Sequence, residues 1–124
     1  MNIALWVVAA LLALVFLAAG AMKLTQTKAK LVKSGQRWAD DFSDGAVKGI
    51  GALEVLGAAG LLLPALVDTA TVLVPLAASG LVLLMIGAAV THARRGEYPN
   101  IAVNAVLGGL ALLIAIERFD AYSF

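Results

Sequence analysis

Residues 3–22 read IALWVVAALLALVFLAAGAM, a run of 20 residues without a charged side chain. A helix needs about 20 apolar residues to cross the hydrocarbon core of a bilayer. Because lipid offers the backbone no hydrogen-bond partners, a lone segment of this length must satisfy its own N–H and C=O groups as a helix. This stretch therefore predicts a transmembrane helix.

Three further apolar runs follow the first one. Residues 49–67 contain one charge, Glu54, and residues 70–91 and 101–116 contain none. With their flanks, the four runs predict transmembrane helices at residues 3–23, 47–67, 70–92 and 99–119. The short connections after the second and third spans favour antiparallel neighbours, so we expect an all-α, up-and-down four-helix bundle forming one membrane domain over residues 1–124.

The composition excludes most other classes of protein. Apolar residues make up 62% of the chain and charged residues 14%, with a mean hydropathy of +0.97. A soluble domain of 124 residues could not bury that much apolar surface, and a disordered chain would be far more polar. The absence of cysteine excludes disulfides, thiolate metal sites, iron–sulfur clusters and c-type haem attachment.

The first apolar run has a second interpretation as a secretory signal peptide. Residues 19–21, Ala-Gly-Ala, resemble a cleavage site, but the basic region that normally precedes the apolar core is missing. We therefore expect this segment to be retained as the first span.

Lysine and arginine are distributed very unevenly between the two sides of the predicted bundle. Eight of the nine lie on one side, in the segments around residues 24–46 and 93–98, and only Arg118 lies on the other, in a C-terminal end predicted to be solvated. The positive-inside rule then predicts a multi-pass protein of a bacterial inner or plasma membrane, with both loops cytoplasmic and both termini outside. Since topology explains the basic loops, we expect no nucleic-acid partner.

The connection between the first two spans, residues 24–46, is the one long loop. Leu24, Leu31, Trp38 and Phe42 recur in it at spacings of 7, 7 and 4 with lysines between them. This pattern is typical of an interfacial amphipathic helix with a tryptophan anchor. Such a helix could be a lid over the cytoplasmic end of the bundle, it could contact anionic lipid head groups, or it could only tether two spans.

Four polar side chains are predicted to lie at one depth of the bundle. Lys23 ends the first span, Glu54 lies early in the second, His92 ends the third and Asn104 lies early in the fourth. With helices alternating in direction, all four fall within roughly 10 Å of one another along the membrane normal. Small residues share their helix faces, which favours an orientation toward neighbouring helices.

Each of these residues has a structural as well as a functional interpretation. Lys23 and Glu54 could form a pair that only fixes helix register, or they could bind a ligand or handle protons. His92 could be an ordinary interfacial histidine, and Met85, on the same helix face, could be core. The predicted ligand-binding set is Lys23, Glu54, Gly57, Met85, His92 and Asn104, with no catalytic residue identified and no metal site expected.

The order of these residues resembles the DoxX-like family of small four-span bacterial membrane proteins. The resemblance rests on Gly20-x-x-Lys23, Glu54-x-x-Gly57-x-x-Gly60-Leu61-Leu62, His92-x-Arg94-x-Gly96-Glu97 and Asn104. It covers nearly the whole chain. It implies a layout similar to that of four-span proteins that bind sterols and related lipids, with some members serving in membrane redox or oxidative-stress complexes.

Three functions of different classes follow from the sequence. The first is a binder of a quinone, lipid or sterol-like ligand, or an accessory subunit of a membrane redox complex, as a homo-oligomer or within a larger assembly in the bilayer. No covalently bound cofactor is expected. The second is an intramembrane isomerase or quinone-linked enzyme in which Glu54 and His92 move protons. A transporter is the third, although no inverted repeat supports it.

Overall fold

The computed structural model describes residues 2–120 and 122–124, and all regular structure in this part of the chain is helical. The elements are α1 (Asn2–Thr25), α2 (Lys28–Lys33), a 3-10 helix (Arg37–Asp41), α3 (Asp44–Leu66), α4 (Leu73–Arg94) and α5 (Tyr98–Phe119). The helices α1, α3, α4 and α5 have 22 to 24 residues and are apolar enough to cross a membrane. The expectation of an all-α, four-span membrane protein is confirmed.

The ends of the long helices follow from local signals. The Ser43 side chain caps α3 by accepting a hydrogen bond from the backbone N–H of Ala46, so this helix begins at Asp44, ahead of the predicted residue 47. Before α4, Asp68 and Ala70 have positive φ angles of 51° and 50°, and the helix begins only at Leu73. In α5, Pro99 lies in the first turn, where its missing N–H costs nothing.

Residues 24–46 do not form one continuous amphipathic helix. The segment contains the six-residue helix α2 and the 3-10 helix, separated by Gly35 with a φ of 107°. Only glycine adopts that backbone conformation readily, and it turns the chain back over the bundle. Residues 27–43, called the cap segment below, bury Leu31 and Trp38 against Val47 of α3.

The bundle is up-and-down, with α1 packing on α3, α3 on α4, α4 on α5, and α5 on α1. Large side chains such as Phe16, Leu61, Leu81 and Ile114 are fully buried at the centre. Large apolar side chains also cover the outer surface, where Leu83 is 70% exposed. An outside as apolar as the inside is what a bilayer requires of a spanning bundle.

The two ends of the bundle differ in charge. The basic end carries the cap segment and the loop between α4 and α5, and the opposite end carries the start of α1 and the end of α5. The predicted polar residues all lie toward the basic end.

Candidate functional site

Lys23 and Glu54 form a buried ion pair at the basic end. Lys23 Nζ lies 2.7 Å from Glu54 Oε1, and the two residues are only 8% and 3% exposed. At this distance the attraction between the opposite charges holds the two side chains together. The pairing expected from sequence is therefore present, and it joins α1 to α3.

Two glycines allow these helices to approach closely enough for the pair to form. A Cβ atom on Gly20 would lie 2.6 Å from the carbonyl oxygen of Gly51, and one on Gly51 would lie 2.8 Å from Lys23 Cβ. Both distances are far below a normal contact. Small residues permit such close helix packing in membranes, so these glycines set the position of the ion pair.

The cap segment covers the lysine. Lys23 Nζ lies 5.4 Å from the centre of the Trp38 ring, within the range of a cation–π contact. The indole Nε1 of Trp38 donates a hydrogen bond of 2.8 Å to Gln36 Oε1, which fixes the orientation of the ring. Trp38 was predicted as an interfacial anchor, and the structure adds its contact with Lys23.

Lys48 ties the end of α1 to the start of α3. Its Nζ donates to the carbonyl oxygens of Lys23, Leu24 and Gln26 at 2.9, 3.1 and 2.6 Å. The last carbonyls of a helix have no partner within it, and a lysine there satisfies them. In the sequence, Lys48 contributed only to the charge asymmetry that predicts the orientation in the membrane. No sequence pattern reveals its contact with the end of α1.

His92 belongs to a chain of charged groups that ends on the cap segment. Its Nδ1 lies 2.9 Å from Glu97 Oε1, and Glu97 Oε2 lies 3.6 Å from Arg95 Nε. Arg95 Nη1 donates to Asp41 Oδ1 at 2.8 Å, and this hydrogen bond raises the pKa of the arginine. The carboxylate of Glu97 favours the tautomer with the proton on Nδ1, leaving Nε2 as the acceptor of the ring.

A cavity of about 570 Å³ lies among these groups. It is bounded by α1, α3, α4, α5 and the cap segment, and its polar lining includes Lys23, Glu54, His92, Asn100 and Asn104. The remaining lining is mainly apolar, which is the usual character of a small-molecule site.

Asn104 is an uncharged polar residue of the cavity lining whose hydrogen bonding is incomplete. The residue is 8% exposed, and its Nδ2 atom has no hydrogen-bond partner within the described part of the chain. A buried amide that donates to nothing costs free energy. The described part of the chain therefore leaves this donor unsatisfied.

Five of the six residues predicted to bind a ligand line this cavity: Lys23, Glu54, Met85, His92 and Asn104. Gly57 instead packs against α4, where a Cβ atom would lie 2.6 Å from Leu81 Cδ2. Sequence reasoning missed the contributions of Gln36 and Phe42, because they reach the cavity only through the fold of the cap segment. Over residues 2–120 and 122–124, no three acidic or histidine side chains are grouped to hold a metal ion.

The opposite end has a different arrangement around Arg118. This residue is 5% exposed, contrary to the prediction that it is solvated, because its side chain folds onto the start of α1. Arg118 Nη1 donates to Asn2 Oδ1 at 2.6 Å and to the Tyr122 carbonyl at 2.9 Å. The guanidinium also stacks on Phe124 at 4.1 Å from the ring centre.

These features define a multi-pass membrane protein with four candidate spans and a polar cavity at one end. Residues 7–115 match the model of the DoxX-like family, and the chain belongs to that family. Neither a curated protein nor a solved structure matches the chain closely enough to count as a relative.

Proposed function

We propose that this protein binds a small amphiphilic molecule of the quinone, lipid or sterol type in the cavity at its basic end. The observation that carries the proposal is the buried donor Asn104 Nδ2, which lacks a partner among the described residues and belongs to a residue that lines a largely apolar cavity. An unsatisfied buried donor costs about 1–3 kcal/mol, and an acceptor on a bound molecule would recover it.

The lining supports an amphiphile over a polar solute. Toward the basic end lie Lys23, Glu54 and Asn104, and deeper in the bundle lie Phe16 and Leu107. The volume falls in the range of about 300–1,000 Å³ that is common for small-molecule sites. A molecule with one polar head and an apolar body would satisfy both parts of this lining.

We extend the proposal to the orientation in the membrane. The basic end faces the cytoplasm of a bacterial cell under the positive-inside rule, with both termini on the other side. The polar head of the ligand would then lie in the cytoplasmic leaflet. Carrying such a ligand also suits an accessory subunit of a membrane redox complex, with this chain as one member of the assembly.

The catalytic alternative has less support. Glu54 and His92 both line the cavity, but Glu54 is held by Lys23 and His92 by Glu97. A general acid or base needs to reach its substrate while it exchanges a proton. Since both groups already have charged or hydrogen-bonded partners, binding is the function that we propose.

The test is ligand binding by two matched variants of α4. Decylubiquinone, phosphatidylglycerol and cholesterol would each be offered to the purified protein in detergent, and bound ligand read by native mass spectrometry. We expect at least one to bind with one molecule per chain. Ala88→Phe, which fills the cavity, should abolish binding, whereas Ile86→Phe, on the outer face of the same helix, should not.

Two results would overturn the proposal. One is that none of the three ligands binds to the wild-type protein. The other is that the folded Ala88→Phe variant retains as much ligand as Ile86→Phe, because the ligand would then lie elsewhere.

A further inference from the structure

We infer that the cavity selects amphiphiles whose head group is uncharged and accepts a hydrogen bond, and that it discriminates against fatty-acid anions and alkylammonium cations. This inference rests on the proposed function and specifies the chemical class of the ligand at the same site. The inferred selectivity depends on the fact that the charged side chains of the cavity already neutralise each other.

The charges of the cavity balance without a ligand. Lys23 and Glu54 contribute one positive and one negative charge at 2.7 Å, and both side chains are at least nine-tenths buried. A ligand carrying its own charge would be left without a counter-charge in a site of low dielectric. Burying an unpaired charge is costly, so a charged head group is disfavoured whatever its sign.

The charged groups of the neighbouring loop and cap segment, Arg95, Glu97 and Asp41, are not part of the cavity lining. Glu97 and Asp41 are both engaged by Arg95, and Glu97 also contacts His92. Trp38, which covers Lys23, contributes only an aromatic face. Among the described residues that line the cavity, Lys23 and Glu54 pair with each other, so the lining offers no free cation for a carboxylate and no free carboxylate for an ammonium group.

Hydrogen bonding then decides which uncharged head group fits. Asn104 Nδ2 is a donor without a partner, and an ammonium group such as Lys23 Nζ has three N–H donors, of which Glu54 engages only part. A carbonyl or ether oxygen can accept from these donors. A pure hydrocarbon cannot, and it would leave Asn104 unsatisfied.

The walls indicate that the molecule comes from the bilayer. Val15 of α1, Leu83 of α4 and Val103 of α5 line the cavity and are 44%, 70% and 55% exposed on the apolar outer surface. The cavity thus extends to the face of the bundle that lipid covers. On the other side the cap segment separates it from the aqueous phase through Gln36, Trp38 and Phe42.

Equilibrium dialysis against detergent micelles, with radiolabelled compounds, tests the inference on the wild-type protein. The probes are methyl palmitate and decylubiquinone as uncharged carbonyl compounds, palmitate as an anion, cetyltrimethylammonium as a cation, and hexadecane as a chain without an acceptor. We expect at least one carbonyl compound to bind about tenfold or more tightly than the other three, equivalent to about 1.4 kcal/mol.

Two variants sharpen the test. Glu54→Gln keeps the shape of the side chain but leaves the Lys23 charge uncompensated, so the affinity for palmitate should rise about tenfold or more. Asn104→Leu removes the free donor, and the advantage of the carbonyl compounds over hexadecane should shrink.

The possible failures are distinguishable. If none of the five compounds binds, the inferred selectivity is wrong, and the proposed function fails as well when phosphatidylglycerol and cholesterol also do not bind. If a charged probe or hexadecane binds to the wild-type protein as tightly as the carbonyl compounds, binding stands but the inferred selectivity is wrong. A folded Glu54→Gln variant that gains no affinity for palmitate would contradict the role of charge compensation.

Discussion

Each end of the bundle buries one cation, but the two ends complete its environment differently. Arg118 at the opposite end is enclosed by two oxygen acceptors and two aromatic rings, all from the chain itself. Lys23 at the basic end has a carboxylate partner and an aromatic ring, yet beside it lie a cavity and an unsatisfied amide. The first arrangement closes the bundle, and the second leaves room for another molecule.

The difference shows why burial alone does not identify a site. Both cations are more than nine-tenths buried, and both connect the first long helix to another part of the fold. What distinguishes the basic end is Asn104, a residue of the cavity lining whose Nδ2 atom no other described residue satisfies. If the comparison is right, ligand binding depends on the basic end, whereas changes at the opposite end alter only the stability of the protein.

The largest effect is expected from Glu54→Leu. It leaves Lys23 charged and buried without a partner, which should lower the free energy of unfolding by about 3–5 kcal/mol. Unfolding in detergent, followed by circular dichroism, would measure the loss. The double variant Lys23→Met with Glu54→Leu should recover much of it, and equal losses in both variants would contradict the pairing.

Arg118→Leu should cost less and leave binding intact. It removes two charge-assisted hydrogen bonds at the opposite end, and we expect a loss of about 2 kcal/mol in the same unfolding experiment. Ligand affinity at the basic end should stay within about twofold of the wild-type value. A twofold change corresponds to a free energy of RT ln 2, which is small compared with the interaction energies at the binding site. A variant that remains folded but loses ligand would mean that the two ends are not independent.

Gly57→Ala tests a residue that the sequence placed in the ligand site. Its Cβ would press on Leu81, a side chain that can shift, so we expect a loss of about 1–2 kcal/mol in stability and no loss of ligand. Gly80→Ala on α4, where a Cβ meets nothing within 4 Å, is the matched control and should be neutral. If Gly57→Ala lowered the ligand affinity without changing the stability, Gly57 would belong to the ligand site.

The smallest effect is expected from Arg95→Ala, which breaks the contact with Asp41 on the cap segment. Exposed ion pairs add little to stability, so the melting temperature should not change measurably. Hydrogen exchange of residues 37–41 should nevertheless become faster, because the cap loses its tie to the loop after α4. Exchange rates equal to those of the wild type would show that packing of Leu31 and Trp38 alone holds the cap.

The sequence predicted the parts of the fold that depend on long uniform segments. The four spans follow from apolar length, and the convergence of Lys23, Glu54, His92 and Asn104 follows from alternating helix direction. The pairing of Lys23 with Glu54 could be anticipated because Glu54 is the one acid in the four apolar runs and needs a partner.

Contacts that depend on tertiary packing could not be predicted in the same way. Arg118 meets Asn2 across 116 residues, and Lys48 reaches the end of α1 only because α3 packs beside it. The regular spacing in residues 24–46 indicated one helix, but the left-handed conformation at Gly35 divides it. Periodicity describes a helix that could form, whereas these details depend on which surface the segment packs against.

The central claim is that an amphiphile binds at the basic end, and the two tryptophans of the chain offer a direct test. Trp38 lines the cavity and Trp6 lies near Arg118 at the opposite end. Quenching by dibromostearate methyl ester would be measured in Trp6→Phe, which reports on Trp38 alone, and in Trp38→Phe, which reports on Trp6 alone. We predict saturable quenching of Trp38 that Ala88→Phe abolishes, with only weak, non-saturating quenching of Trp6. Equal, non-saturating quenching of both tryptophans would contradict the account.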